Sequence, residues 1–156
     1  MADVNQNSIE TPGFDPRLFL RDEELDYGIA LFLAGERTLM KQVGDLAEQE
    51  SLPALAARIL IDVRFRPGQS VSGLREHLQV TVPTMARLLG TLDKRGLIER
   101  RKSRIDARQR ALYLTFEGKR LTDPATIAMR ETLRNAYRYA GANAVAGVRA
   151  VLEALS

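Results

Sequence analysis

Apolar residues return every three to four positions through most of the chain, a period that predicts a largely helical protein. In the stretch 21–50, Leu25, Ile29, Phe32 and Leu33 are followed by Leu39, Met40 and Val43, the spacing of one helix face. Asp22 is placed to cap this long helix, and Glu23 and Glu24 suit the positive end of its dipole. Pro53 suits the first turn of a second helix, PALAARILIDVRF, which stops at Pro67-Gly68. A short helix follows from Ser72, whose hydroxyl is its expected cap. Thr81 opens the next, VPTMARLLGTLDKR, with Pro83 in its first turn and Gly96 at its end. Beyond Gly96 the period changes. LIERRKS and QRALYLTF are short, and the second alternates Ala111, Tyr113 and Thr115 against Leu112, Leu114 and Phe116, as a half-buried strand does. A β-hairpin with a charged tip over Ser103 to Arg108 is predicted. Helix resumes at Glu117, with Pro124 expected to break or kink it early. Leu133 and Tyr137 carry its stripe to Gly141, and a last helix presents Val145, Val148, Leu152 and Leu155 on one face.

Helix, short helix, longer helix and basic hairpin, in that order, make a winged helix-turn-helix. The duplex major groove is just wide enough for one α-helix, so such a unit braces a reading helix on a shorter one. In 81–96, Met85, Leu88, Leu89 and Leu92 form the face that packs inward. Pro83, Thr84 and Arg87 fall on the other side, with Thr91 and Lys94 further along, and Ala86 is small enough for close approach. The hairpin adds Arg100, Arg101, Lys102, Arg104, Arg108 and Arg110, against only Glu99 and Asp106. Cations at such a tip suit phosphates or the narrow, strongly negative minor groove.

Charge distribution strengthens this picture. Residues 51–122 hold 15 Lys and Arg against 6 Asp and Glu, a local +9, whereas the remainder holds 8 against 14, or −6. A basic middle between acidic flanks is the pattern of a polyanion-binding module carried on segments with another task. The absence of cysteine excludes disulfides and thiolate metal sites, and a lone histidine, His77, makes a histidine metal centre implausible. No metal or cofactor is expected. There is no Ser/His/Asp set, Gly-rich phosphate loop or acidic metal cluster, so an enzyme is not expected either. The polar start MADVNQNSIETPGFDP has no secretory pattern and no stretch suits a membrane span, which points to a cytoplasmic protein.

The run TMARLLGTLDKRGLIERRKSRIDARQRALYLTFEGKRL resembles the MarR (multiple antibiotic resistance regulator) family. The turn LDKRGLIER is common to many winged-helix regulators. The wing pattern Asp106-x-Arg108, then Leu112-Tyr113-Leu114-Thr115-x-x-Gly118, is more particular to MarR proteins. The resemblance is strongest over 55–120. It implies that Arg108 enters the minor groove from the wing tip and that Asp106 orients the basic side chains beside it. It also implies dimerisation through the flanking helices, and a small aromatic or anionic effector between the DNA-binding lobe and those helices. Candidate lining residues are Tyr27, Leu31, Phe65 and Tyr113, although aromatics at helical spacing also serve as plain core. The family's peroxide-sensing mode needs cysteine and its zinc-sensing mode more histidines. Two departures stand out: Val82 and Pro83 occupy positions where polar base-reading residues are common, and Pro124 lies early in a helix usually continuous.

The expected fold is α+β, mostly α, with a winged helix-turn-helix lobe and terminal helices forming a dimerisation region. Its parts are a flexible arm at 1–16, a dimerisation helix at 17–52, the DNA-binding domain at 53–120 and dimerisation helices at 121–156. The expected function is transcriptional regulation, by repression or activation, through a homodimer on a palindromic operator in double-stranded DNA. Expected DNA-binding residues are Thr81, Val82, Pro83, Thr84, Arg87, Arg101, Lys102, Arg104, Asp106, Arg108 and Arg110. Arg87 reads a guanine or grips a phosphate; Val82 and Pro83 meet thymine methyls or merely start the helix. Ser72 and His77 are secondary candidates for phosphate contact, His77 otherwise being an exposed helix residue. The rival reading is a winged helix used as a protein-interaction module, but an arginine-rich wing opposes it, because interface cores lose charge.

Overall fold

The computed structural model describes residues 20–102 and 110–155, which fall into two compact units divided between Arg37 and Thr38. Six helices and one hairpin run in the order α1 (Asp22–Gln49), α2 (Ala54–Phe65), α3 (Val71–His77), α4 (Val82–Lys94), β1 (Ile98–Lys102), β2 (Arg110–Leu114), α5 (Phe116–Ala140) and α6 (Ala142–Leu155). The expected arm at 1–16 lies outside the described residues.

The first unit is the N-terminal part of α1. Its acidic first turn holds Asp22, Glu23 and Glu24. Asp22 is therefore inside the helix, and the preceding Arg21 supplies the carbonyl that accepts from the Glu24 and Leu25 amides, both at 3.0 Å. Leu25, Ile29, Leu31, Phe32 and Leu33 are all exposed here.

The second unit holds two apolar clusters. One joins Val43, Leu46 and Ala47 from the end of α1 to Ala57 and Ile61 of α2 and Ala125 and Met129 of α5. The other gathers Ile59, Leu60 and Val63 of α2, Leu74 of α3, the inner face of α4, and Ile98, Leu112 and Leu114 of the hairpin. Helix α2 serves both, which explains why its sequence is apolar almost all round. Pro53 stands one residue before that helix, at its N-cap, rather than in its first turn.

Ser70, not Ser72, caps α3. Its hydroxyl accepts from the Gly73 amide at 3.0 Å, while Ser72 sits one residue inside the helix. Replacing Ser70 with alanine is expected to cost about 1 kcal/mol in a urea titration, and Ser72→Ala less than about half of that. A larger loss at Ser72 would contradict this assignment of the cap.

Strands β1 and β2 pair antiparallel, from Ile98 opposite Leu114 to Lys102 opposite Arg110. Ser70 bridges Ala111 on the other side of β2, so the α2–α3 connection forms a short third lane. Thr115 then caps α5, accepting from the Gly118 amide at 3.1 Å and donating to the Gly96 carbonyl at 2.6 Å.

Helix α5 continues through Pro124, so of the expected break or kink the break does not occur. Buried threonine hydroxyls on either side bond back to the helix, Thr122 to the Gly118 carbonyl at 2.9 Å and Thr126 to the Asp123 carbonyl at 3.1 Å. Packing of Ala125 and Met129 in the first cluster holds this turn in place despite the missing amide. Gly141, at φ +82°, ends the helix. Helix α6 follows with no buried residue.

Candidate nucleic-acid interface

The candidate reading surface is built on the first turns of α4. Thr81 is its N-cap, accepting from the Thr84 amide at 3.4 Å, and its hydroxyl also donates to that of Thr84 at 2.9 Å. Met85, Leu88, Leu89 and Leu92 are buried at helical spacing, which turns Val82, Pro83, Ala86 and Arg87 outward. Val82 is 65% exposed. The structure therefore brings Thr81, Val82, Pro83, Thr84 and Arg87 together on one helix end, with Thr84 half-buried and its hydroxyl engaged by Thr81.

The hairpin divides its cations by strand pleat. Ile98 is buried, and Arg100 and Lys102 share its side of β1; Glu99 and Arg101 lie on the opposite side. Arg101 pairs with Glu99 and stacks over the Tyr113 ring at 4.8 Å from its centroid. Lys102 and Arg110 face each other at the distal end of the ladder, both exposed. Like charges directly opposite on a ladder are unfavourable, so the pair is suited to a polyanion that neutralises both. Arg104, Asp106 and Arg108 lie outside the described residues.

Two concavities flank this hairpin. One, of about 390 Å³, is lined by Val63, Arg64, Pro67, Arg101, Tyr113, Leu114 and Lys119. It contains Tyr113 among the sequence candidates for effector binding but not Phe65, over whose ring Arg130 sits at 6.0 Å. Tyr27 and Leu31 belong to the first unit and are exposed. Arg64, which pairs with Asp123 at 2.5 Å, and Lys119 were not legible as lining residues, because they come from helices distant in sequence. The other concavity lies against α4 and includes Arg100, a cation the strand alternation would have assigned to that side.

Two polar ties hold the frame. Asp62, nearly buried on α2, receives Arg58 and Arg66 at 3.2 Å each and faces Nε2 of His77 at 3.7 Å, so His77 leans on a carboxylate. At the far end of α4, Arg95 donates to the Glu50 backbone carbonyl at 2.8 Å and to its carboxylate at 3.3 Å, binding the α4 C-terminus to the end of α1. Nearby, the hydrogen bond to Glu117 and the charge of that carboxylate raise the pKa of the Arg120 guanidinium against the opposing effect of desolvation, and Glu50 adds to the rise.

A braced helix presenting outward polar and cationic groups, beside a basic two-stranded wing, defines a winged helix-turn-helix DNA-binding protein. The model of the MarR family matches residues 52–109. The HTH-type transcriptional regulator PetP of Rhodobacter capsulatus is 38% identical over 144 residues, covering 92% of this chain and 87% of that one. The chain belongs to the MarR family: it is a DNA-binding transcriptional regulator and not an enzyme. Solved structures agree in fold. A MarR-family regulator from Silicibacter pomeroyi aligns with TM-score 0.67 at 20% identity, covering 85% of this chain and 88% of that one. NadR in complex with 4-hydroxyphenylacetate aligns with TM-score 0.66 at 24% identity, covering 81% and 89%. A mutant of S. aureus MepR bound to an oligodeoxyribonucleotide aligns with TM-score 0.52 at 21% identity, covering 81% and 93%. Among the described residues, no helix is long and apolar enough to cross a membrane.

Proposed function

We propose that the protein regulates transcription in the cytoplasm as a homodimer on a palindromic operator. The observation that carries this reading is α6, an apolar helix with no buried residue in the isolated chain. A symmetric, mostly apolar interface with a second copy would cover it, with the regions 17–52 and 121–156 forming the dimer. Two-fold symmetry then sets two reading helices about one helical turn apart, on half-sites centred roughly 10 base pairs apart. Thr81, Val82, Pro83, Thr84 and Arg87 face the major groove. Lys102, Arg104, Arg108 and Arg110 reach the backbone and minor groove, with Asp106 orienting them.

Titration of the selected operator, a variant half-site and random duplex tests these roles. Arg108→Ala is expected to weaken binding to all three, most where flanks are A/T-rich, whereas Arg87→Ala erodes discrimination at one position per half-site. With about 6–10 phosphates neutralised, affinity falls roughly 10³–10⁵-fold between 50 and 200 mM salt. A flat salt response, or parental binding by Arg108→Ala, overturns the model.

The cavity beside Tyr113 supports the effector reading. Lys119 adds a cation to guanidinium groups of Arg64 and Arg101 that pair with Asp123 and Glu99, while Val63, Pro67 and Leu114 give it apolar walls, a combination suited to a small aromatic anion that competes for those arginines. On this reading the position of Arg101 favours effector contact over DNA contact.

A further inference from the structure

Helix α4 fills most of the width of a major groove, so side chains on its flanks meet the backbones that border the groove rather than base edges. One flank of α4 is concave. A depression of about 540 Å³ is lined there by Val82, Ala86 and Leu89 of α4, Val71, Ser72 and Arg75 of α3, and Arg100 of β1. Its walls are apolar, and its two cations come from α3 and β1, the elements before and after α4 in the chain. Arg100 is exposed and has no ion pair among the described residues. Among the described residues Arg75 pairs only with its exposed neighbour Glu76, at 3.1 Å, a contact that water screens and that a stronger anion displaces.

We infer that Arg75 and Arg100 grip one sugar-phosphate of the duplex backbone beside the reading helix, with the sugar against Val71 and Val82. The chemistry fits a phosphodiester unit, which joins an anion to an apolar sugar face. Ser72 adds a hydroxyl that already lies 3.3 Å from that of Ser70, at the mouth of the same depression. A small aromatic anion would also find charge and apolar wall here, but it would leave two arginines on the DNA-facing flank without a duplex role. The adjacent arginines of β1 thus divide their work. Arg100 fixes the protein on DNA, while Arg101 lies on the other side of the pleat, stacked on Tyr113. The inference rests on the DNA-binding class of the chain and does not need the dimer.

The test uses the full-length chain and random duplex across a series of salt concentrations. Arg100→Ala is expected to weaken binding about tenfold, equally on operator and random duplex, and to lower the salt slope by about one. Arg75→Ala behaves alike, and Arg100→Lys recovers the slope. Replacing single phosphates by neutral methylphosphonates should locate one position where parent and Arg100→Ala bind equally. Thermal melting of each variant at the parental temperature separates contact loss from unfolding. An unchanged salt slope for Arg100→Ala, or a loss confined to one base pair, would overturn the inference. Failure of the parent to bind any duplex at low salt would remove the DNA-binding reading itself, and this inference with it.

Discussion

Replacing Gly118 with alanine is expected to destabilise the folded chain by about 3 kcal/mol, the upper range for forcing a methyl into a packed site. A Cβ at this position would stand 2.0 Å from the Leu97 carbonyl oxygen, 3.0 Å from its carbon and 3.3 Å from the Leu114 Cβ. Two of these atoms are backbone and cannot rotate aside. The Leu97 carbonyl also accepts from the Thr115 amide at 3.2 Å, so moving it loosens the joint between hairpin and α5. Gly118 is thus required by close approach and not by its own dihedral angles. Gly44→Ala is the control, since nothing lies within 4 Å of the added carbon. There the substitution should be neutral or stabilise by about 0.5–1 kcal/mol, because alanine suits a helix interior better. Urea titration of both variants is sufficient. If Gly118→Ala unfolds at the parental midpoint, the first turn of α5 does not pack as closely as described.

Deleting residues 142–156 should leave a monomer or an aggregating chain and reduce affinity for an inverted repeat by about 10²–10⁴-fold. That range follows from losing the effective concentration of a second, linked reading helix, with every contact inside one half-site left intact. Val148, Val151, Leu152 and Leu155 are exposed on α6, so the deletion removes apolar surface that the described residues of its own chain leave largely open. Light scattering reports the association state. Parallel titrations on a full operator and on a half-site duplex report the coupling, and the truncated chain should bind both alike. A truncated chain that remains a well-behaved dimer would show that α6 is not the dimer helix.

Much of this architecture is legible in the residues, for reasons that differ by element. The inner face of α4 follows from four apolar residues at helical spacing, and its limits from Thr81 and Gly96, because both signals act within a turn or two of the chain. Local signals misplace the α3 cap by two residues, since Ser70 and Ser72 are equally suitable in isolation. The Ser70–Ala111 bridge, which fixes that segment, joins residues distant in sequence and leaves no local signal. Pro124 misleads for a related reason: the cost of a missing amide is local, whereas the buried threonines and the Ala125 and Met129 contacts that offset it are tertiary. The basic run of the wing reads as one patch in sequence. Its division into an α4 side with Arg100 and a Tyr113 side with Arg101 follows from strand pleat, and which side faces which helix requires the packing of Ile98. The ring of Arg64, Arg101 and Lys119 joins three separate elements, a convergence that no spacing rule reveals.

The Arg95–Glu50 tie gives α4 the mechanics of a lever. The helix has 13 residues, about 20 Å of length, and its C-terminal end is held to α1 by two hydrogen bonds from one guanidinium. Its opposite end carries Thr81, Val82 and Pro83. A tilt of about 10° about the held end therefore moves the reading end by about 3.5 Å, close to the rise of one base pair. Any displacement of Arg95 against Glu50 is thus felt most at Thr81, Val82 and Pro83, the end of the helix farthest from the tie.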